Sequence, residues 1–180
     1  MHATLCDIVT DLVQNSIEAG ASQIHVEVST TPERIEVCIV DNGKGMDAAT
    51  QQKVFDPFYS EAGKHEHRKV GLGLPLLRQT AEAADGRVEI QSESGKGTTV
   101  RFHLAAQHWD TPPLGNLVMT VLGLMSFRQK YDLTFTRKTQ RDSYQISRSE
   151  LIEVLGNLEE AATLILARDF LSSQENECAH

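Results

Sequence analysis

The chain has 180 residues, with 17 Lys+Arg against 25 Asp+Glu and so a formal net charge of −8. That length suits one domain of common size plus an appendage, and 40% hydrophobic with 23% charged residues excludes a disordered polypeptide. The acidic balance excludes general coating of DNA or RNA, which needs clustered Lys and Arg to neutralise phosphates, and leaves room only for a local basic patch.

From Thr4 to Ala19 the apolar residues Leu5, Ile8, Val9, Leu12 and Val13 recur at helical spacing, and Gly20 stops the helix. Ile24, Val26 and Val28 then alternate with polar neighbours, as do Ile35, Val37 and Ile39 after the turn at Thr31-Pro32-Glu33. That is the period of half-buried strands. DNGKGM ends the second strand, and Met46 to Phe55 reads as a short helix. The polar stretch from Pro57 to Lys69 reads as a loop.

Gly71-Leu72-Gly73 opens a helix from about Leu74 to Ala84, with Pro75 in its first turn, where a missing N–H costs nothing. Two strands follow around Val88/Ile90 and Val100/Phe102/Leu104, joined by the turn ESGKG. Residues 107–113, including Pro112-Pro113, read as a linker. Beyond it come the helical stripe Leu114 to Met125, a hairpin in YDLTFT and SYQIS, and a last helix capped by Ser147/Glu150 and ending near Leu171. Residues 172–180 read as a disordered polar tail.

Cys6, Cys38 and Cys178 form no CxxC pair and offer neither a disulfide framework nor a metal site. The N-terminus lacks the basic and apolar regions of a signal peptide, and the apolar stretch from Leu117 to Met125 falls far short of the ~20 residues that cross a bilayer. The expectation is a cytoplasmic protein that binds no membrane.

Four short elements carry chemistry. Asp11, Asn15 and Glu18, spaced i, i+4, i+7, share one side of the first helix away from its apolar stripe. An amide beside a carboxylate suits a hard cation such as Mg²⁺ and an oriented water, and it equally suits a solvated helix face. Asp41-Asn42-Gly43-Lys44-Gly45 ends a buried strand in a carboxylate that can accept from an exocyclic amine such as adenine's, or it is a simple hairpin turn. Gly71-Leu72-Gly73 places free N–H groups at a helix start, an anion site suited to phosphates, without matching either the dinucleotide or the GxxxxGK[ST] pattern. Gly95-Lys96-Gly97-Thr98-Thr99 is, by itself, a β-turn.

The order and attachment of these elements resemble the ATP-binding domain shared by gyrase B, histidine kinases and MutL, over about Leu5 to Leu104. DLVQNSIEAGAS resembles that family's N box, DNGKGM its first glycine box, FDPFYS the aromatic motif before the ATP lid, VGLGLPLL the second glycine box and SGKGTTVRF the last. The resemblance implies a two-layer α/β sandwich with a mixed, mainly antiparallel sheet and helices on one face, spanning 1–106, with an α+β appendage over 114–171 that could join the same sheet. It implies ATP and Mg²⁺ as cofactors. Asn15 would hold the metal and Asp41 the adenine amino group, beside Gly43 and Gly45. Gly71, Gly73 and Leu74 would face the phosphates, and Thr98 or Thr99 would support the adenine site. Asp11 stands where gyrase and MutL carry a glutamate as general base, and it is one methylene shorter.

The N box with Glu18 looks like MutL, whereas FDPFYS and VGLGLPLL look like a histidine kinase, which commonly carries a basic residue in place of Glu18. Lys64, Arg68 and Lys69 bring positive charge to the lid. His65-Glu66 lies in that lid without the helical context of a phospho-acceptor, and no acceptor-histidine hairpin precedes the N box in this sequence. The leading expectation is Mg-ATP binding with phosphoryl transfer to a separate partner protein. An ATP-gated interaction module is the alternative, and a MutL-like repair ATPase a more distant one. A homodimer is compatible with the helix of 114–125.

Overall fold

A computed structural model describes residues 4–56 and 73–179. Its framework is a six-stranded sheet in the order β3-β4-β2-β1-β5-β6. The strands are β1 (Gln23–Thr30), β2 (Arg34–Asp41), β3 (Arg87–Glu93), β4 (Gly97–Ala105), β5 (Asp132–Lys138) and β6 (Ser143–Ser147). All neighbours run antiparallel except β1 and β5, which are parallel. The mixed, mainly antiparallel sheet is therefore as the sequence implied.

Alternation decides which face is buried. Ile24, Val26 and Val28 of β1, Val37 and Ile39 of β2, Val100, Phe102 and Leu104 of β4, and Leu133 and Phe135 of β5 all point to one side and are buried. The opposite face carries charged residues such as Glu27 against Lys138 at 2.8 Å and Arg87 against Glu89 at 3.2 Å. Water competes for such exposed pairs, so they keep the face soluble more than they stabilise it.

Helices cover the apolar face. α1 (Leu5–Glu18) lies centrally, buries Leu5, Ile8, Val9, Leu12 and Val13, and starts in a capping box between Thr4 and Asp7. α3 (Gly73–Ala83) contributes Leu77 and Ala81, and α4 (Leu117–Met125) contributes Val121, Leu124 and Met125 to the same cluster. Each fully buried aliphatic side chain stabilises the fold by about 1.5–3 kcal/mol relative to exposure. α2 (Ala48–Lys53) is shorter than the predicted 46–55 because Asp47 caps it and Val54 ends it.

The C-terminal part, expected as an appendage that could join the same sheet, differs from that reading in its linker, its last helix and its tail. The hairpin β5–β6 extends the main sheet through β1, so residues 114–171 share one core with the rest. Residues 107–113 are packed rather than a free linker: the carbonyls of Pro113 and Leu114 accept from the first-turn amides of Leu5 and Cys6, which a helix start otherwise leaves unpaired. The last helix is two, α5 (Arg148–Leu155) and α6 (Ala161–Ala179), divided at Gly156, whose φ of 95° cannot continue a helix.

The disordered tail expected over 172–180 is also corrected, since α6 runs on to Ala179. Arg137 on the inward face of β5 is buried and donates to Glu175 Oε1 at 3.1 Å, while Tyr144 Oη donates to Glu175 Oε2 at 2.9 Å. A buried guanidinium needs a counter-charge, and the polar tail supplies it.

Candidate functional site

β2 ends at Asp41 in the same inward register as Val37 and Ile39, so its carboxylate is delivered to the apolar side and is 9% exposed. Both oxygens are engaged: Oδ1 accepts from the Gly43 N–H at 2.8 Å and Oδ2 from the Ser16 hydroxyl at 2.8 Å. Asn42 turns the other way and fastens the loop, its Oδ1 accepting from the amides of Ser22 and Gln23 at 2.9 Å. Lys44 N–H donates to Ala19 O at 2.9 Å, and Lys44 O accepts from Gly95 N–H at 2.7 Å. The 42–46 loop is thus strung between the end of α1 and the β3–β4 turn.

The close approaches need glycine. A Cβ on Gly43 would lie 2.9 Å from Asp41 Oδ1, and one on Gly97 (φ 105°) only 1.9 Å from Asp41 O. Gly45 (φ 63°) packs on the carbonyl of Glu93 in the same manner. Thr98 pairs with Asp41 across β2 and β4 and shares its inward face, with Oγ1 2.9 Å from Ser92 Oγ. Thr99 pairs with Val40 and Gln91 and belongs to the outward face. Strand alternation therefore separates the two candidates, and only Thr98 stands beside Asp41.

Beside Ser16 on α1 and one turn before it, Asn15 and Asp11 meet the start of α3. A Cβ placed on Gly73 would sit 3.6 Å from Asp11 Cβ, 3.8 Å from Asp11 Oδ2 and 4.0 Å from Asn15 Nδ2. One polar stripe of α1 is thereby set against the amide-rich end of an 11-residue helix. Leu74 is half-buried against the core, and Arg78 of α3 places its guanidinium 5.3 Å from the Phe55 ring centroid. Glu18 lines a separate cleft of about 90 Å³ with Gln14, Ile17, Phe127 and Gln129. Gly71, the lid cations Lys64, Arg68 and Lys69, and His65 lie outside the described residues. No group of three or more His, Cys, Asp or Glu arranged for a metal occurs among the described residues.

Two contributors were not singled out from the sequence. Ser16 falls on the buried stripe of α1, four residues after Leu12, and a hydroxyl at an apolar position was the available signal. Ser92 accepts from Met46 N–H at 2.9 Å and joins the glycine loop to β3. Nothing in the pattern of β3 marks it.

A buried strand-end carboxylate, a glycine loop folded against it and a helix start facing an Asp/Asn stripe thus lie together on a helix-covered mixed sheet. The family described as histidine kinase-, DNA gyrase B- and HSP90-like ATPase matches residues 2–108, more than half of the chain, and the chain belongs to it. It is 38% identical over 102 residues to the methanogenesis regulatory histidine kinase FilI of Methanothrix harundinacea, covering 54% of this chain and 11% of that one. It is 32% identical over 103 residues to the sensor histidine kinase WalK of Bacillus subtilis (56% and 17%) and 36% over 101 residues to sporulation kinase B of the same species (54% and 23%). The chain thus matches less than a quarter of each of these relatives' length. Among solved structures, the N-terminal domain of a DNA repair protein aligns with a TM-score of 0.55 at 19% identity, over 81% of this chain and 52% of that one. That likeness speaks for the fold. No helix among the described residues is long and apolar enough to cross a membrane.

Proposed function

We propose that this chain binds Mg-ATP between α1, the 42–46 loop and α3, and passes the γ-phosphoryl group to a separate partner protein. The observation that carries the reading is Asp41, a buried carboxylate fixed on both oxygens and set beside Thr98 and a loop that excludes side chains. A carboxylate in that setting accepts from an adenine amine. Asn15 and Asp11 fit the triphosphate end, because they meet the start of α3 at Gly73. Mg²⁺ characteristically takes one or two protein ligands and completes its shell with phosphate oxygens and water, which suits a site without a three-carboxylate cage. The ion would supply charge neutralisation on the phosphates. The protein's share is to hold the triphosphate in line with an incoming nucleophile, since phosphoryl transfer depends on positioning and electrostatics. Asp11 would orient a water in the competing hydrolysis. The histidine-kinase relatives support transfer to protein, with Gly71 and Gly73 as the phosphate-facing glycines. A cytoplasmic setting and a homodimer belong to the same reading.

Incubating the protein with γ-labelled ATP, magnesium and lysate tests it. Label on a defined protein supports transfer, and release of free phosphate alone defeats it. One observation favours the ATP-gated interaction module as a second reading. The large apolar side chains most exposed among the described residues, including Trp109 at 99%, Val154, Leu166 and Phe170, all lie at or beyond residue 109. Where such side chains adjoin, the apolar surface they form marks a contact region. Nucleotide-dependent capture of a partner without labelling would establish it.

A further inference from the structure

We infer that Ser16 is the positioning residue that makes the Asp41 site selective for a base carrying an exocyclic amine. The inference rests on the nucleotide reading of that site and adds to it the determinant of base specificity. Ser16 is 4% exposed on α1, one residue after Asn15. Its hydroxyl has two acceptors within reach, Leu12 O at 3.3 Å and Asp41 Oδ2 at 2.8 Å. The shorter, charge-assisted bond takes the proton.

The geometry explains why this bond matters for a ligand and not only for packing. A carboxylate at a strand end rotates freely about its last torsion unless both oxygens are held. The Gly43 amide fixes Oδ1 from the loop side and Ser16 fixes Oδ2 from the helix side. With each oxygen already receiving one proton, the remaining lone pairs meet only a donor favourably. An exocyclic amine fits that requirement. A carbonyl at the same ring position places oxygen against oxygen and is repelled. Because Asn15 and Ser16 are adjacent on α1, the helix that faces the α3 start also sets the orientation of the base-binding acid.

Calorimetric titration of the full chain with ATP and with inosine triphosphate, whose base carries a carbonyl in place of the amine, reads this directly. Ser16→Ala should weaken ATP binding about tenfold, the scale of one hydrogen bond to a charged group, while inosine triphosphate affinity stays unchanged. The preference for ATP therefore narrows. In an Asp41→Asn background the Ser16→Ala change should have no further effect, because the acid it orients is gone. Gly43→Ala, which crowds Oδ1 from the opposite side, should narrow the preference in the same direction and tests the idea without altering α1. Equal losses for both nucleotides, or additive losses in the double variant, overturn the assignment and leave Ser16 as a packing residue. If the unmodified protein binds neither nucleotide, the proposed function fails instead, so the two failures are distinguishable.

Discussion

Asp41, in the part that matches the ATPase family, and Arg137, beyond it, are both buried charges on the inward face of one sheet. Their partners differ in kind. Asp41 is held by a hydroxyl and an amide, which orient the carboxylate and leave its charge in place. Arg137 meets the carboxylate of Glu175 at 3.1 Å and donates further to Val28 O and Thr30 Oγ1. In the proposed function the first arrangement presents charge to a ligand, whereas the second consumes it in fastening α6 to the sheet. Arg148 repeats the fastening role, donating to the carbonyls of Met125, Phe127 and Tyr131 at 2.7–3.0 Å. Arg137 thus ties the C-terminal part to β1 and α6, and the half-buried Arg148 ties α5 to the segment between α4 and β5.

Breaking the fastener should give the largest effect. Glu175→Ala leaves the Arg137 guanidinium buried beside Val28 O without its counter-charge, and Glu175 is one-fifth exposed, so the loss should be about 3 kcal/mol, the low end for a buried pair. Urea unfolding followed by circular dichroism would measure it, and hydrogen exchange in 172–179 should rise first. An unchanged midpoint would show that the tail does not depend on this pair.

Asp41→Asn probes the other arrangement and should separate binding from folding. The asparagine oxygen can still accept from Gly43, and the Ser16 hydroxyl can still reach Leu12 O, so stability should change by less than about 1 kcal/mol. ATP affinity should fall about 100-fold, because the amide presents a donor to the adenine amine. A large stability loss with intact binding would place Asp41 among the fasteners and dissolve the contrast.

How much of this was legible beforehand follows the same division. In the family-matching part, alternation in Ile24/Val26/Val28 and Ile35/Val37/Ile39 placed the strands, and the glycine boxes placed the loop, because local period and local turn chemistry decide both. The pairing of β5 with β1 was not legible, since a parallel partner more than 100 residues away leaves no mark in either strand. The tail was misread for a related reason. SSQENECAH is polar, and only the three-dimensional neighbourhood of Arg137 gives Glu175 a role. Within the site, the choice between Thr98 and Thr99 waited on register, and Ser16 on the discovery of what its stripe faces.

A smaller effect sharpens the picture of the fastener in alkali. Burial, with the Glu175 carboxylate beside it, holds the Tyr144 hydroxyl well above the ordinary phenol range. Below about pH 10 the phenol is protonated folded and unfolded, and its contribution is complete. Above that, the unfolded chain releases a proton the folded chain keeps, so stability falls with rising pH by about 1.4 kcal/mol per unit for one group. Tyr144→Phe should remove one proton's worth of that slope. Tyr131, also pushed up by burial, should preserve the rest. An identical slope in the variant would detach Tyr144 from the Glu175 network.

The smallest expected effect compares one helix cap from each part. The Ser147 hydroxyl and amide hold the Glu150 carboxyl below its usual range, both donating to Oε2 at 2.8 Å, and the Thr50 amide does the same for Asp47 at 2.7 Å. A lowered folded pKa means the stabilisation is complete above the unfolded value near 4 and is lost as pH falls through the folded one. Glu150→Gln should therefore lower the melting temperature slightly at pH 7, and both it and Asp47→Asn should converge with the parent protein in acid. α5 sits on β5 through Ser149, whose amide and hydroxyl donate to Asp132 at 3.0 and 2.9 Å. The Glu150 cap is thus backed by a tertiary contact, whereas α2 buries no residue of its own. Melting curves from pH 3 to 7 should then show Asp47→Asn reporting only local fraying of α2, with Glu150→Gln shifting the global transition. A global shift from Asp47→Asn of the same size would mean that α2 is as tightly coupled to the core as α5.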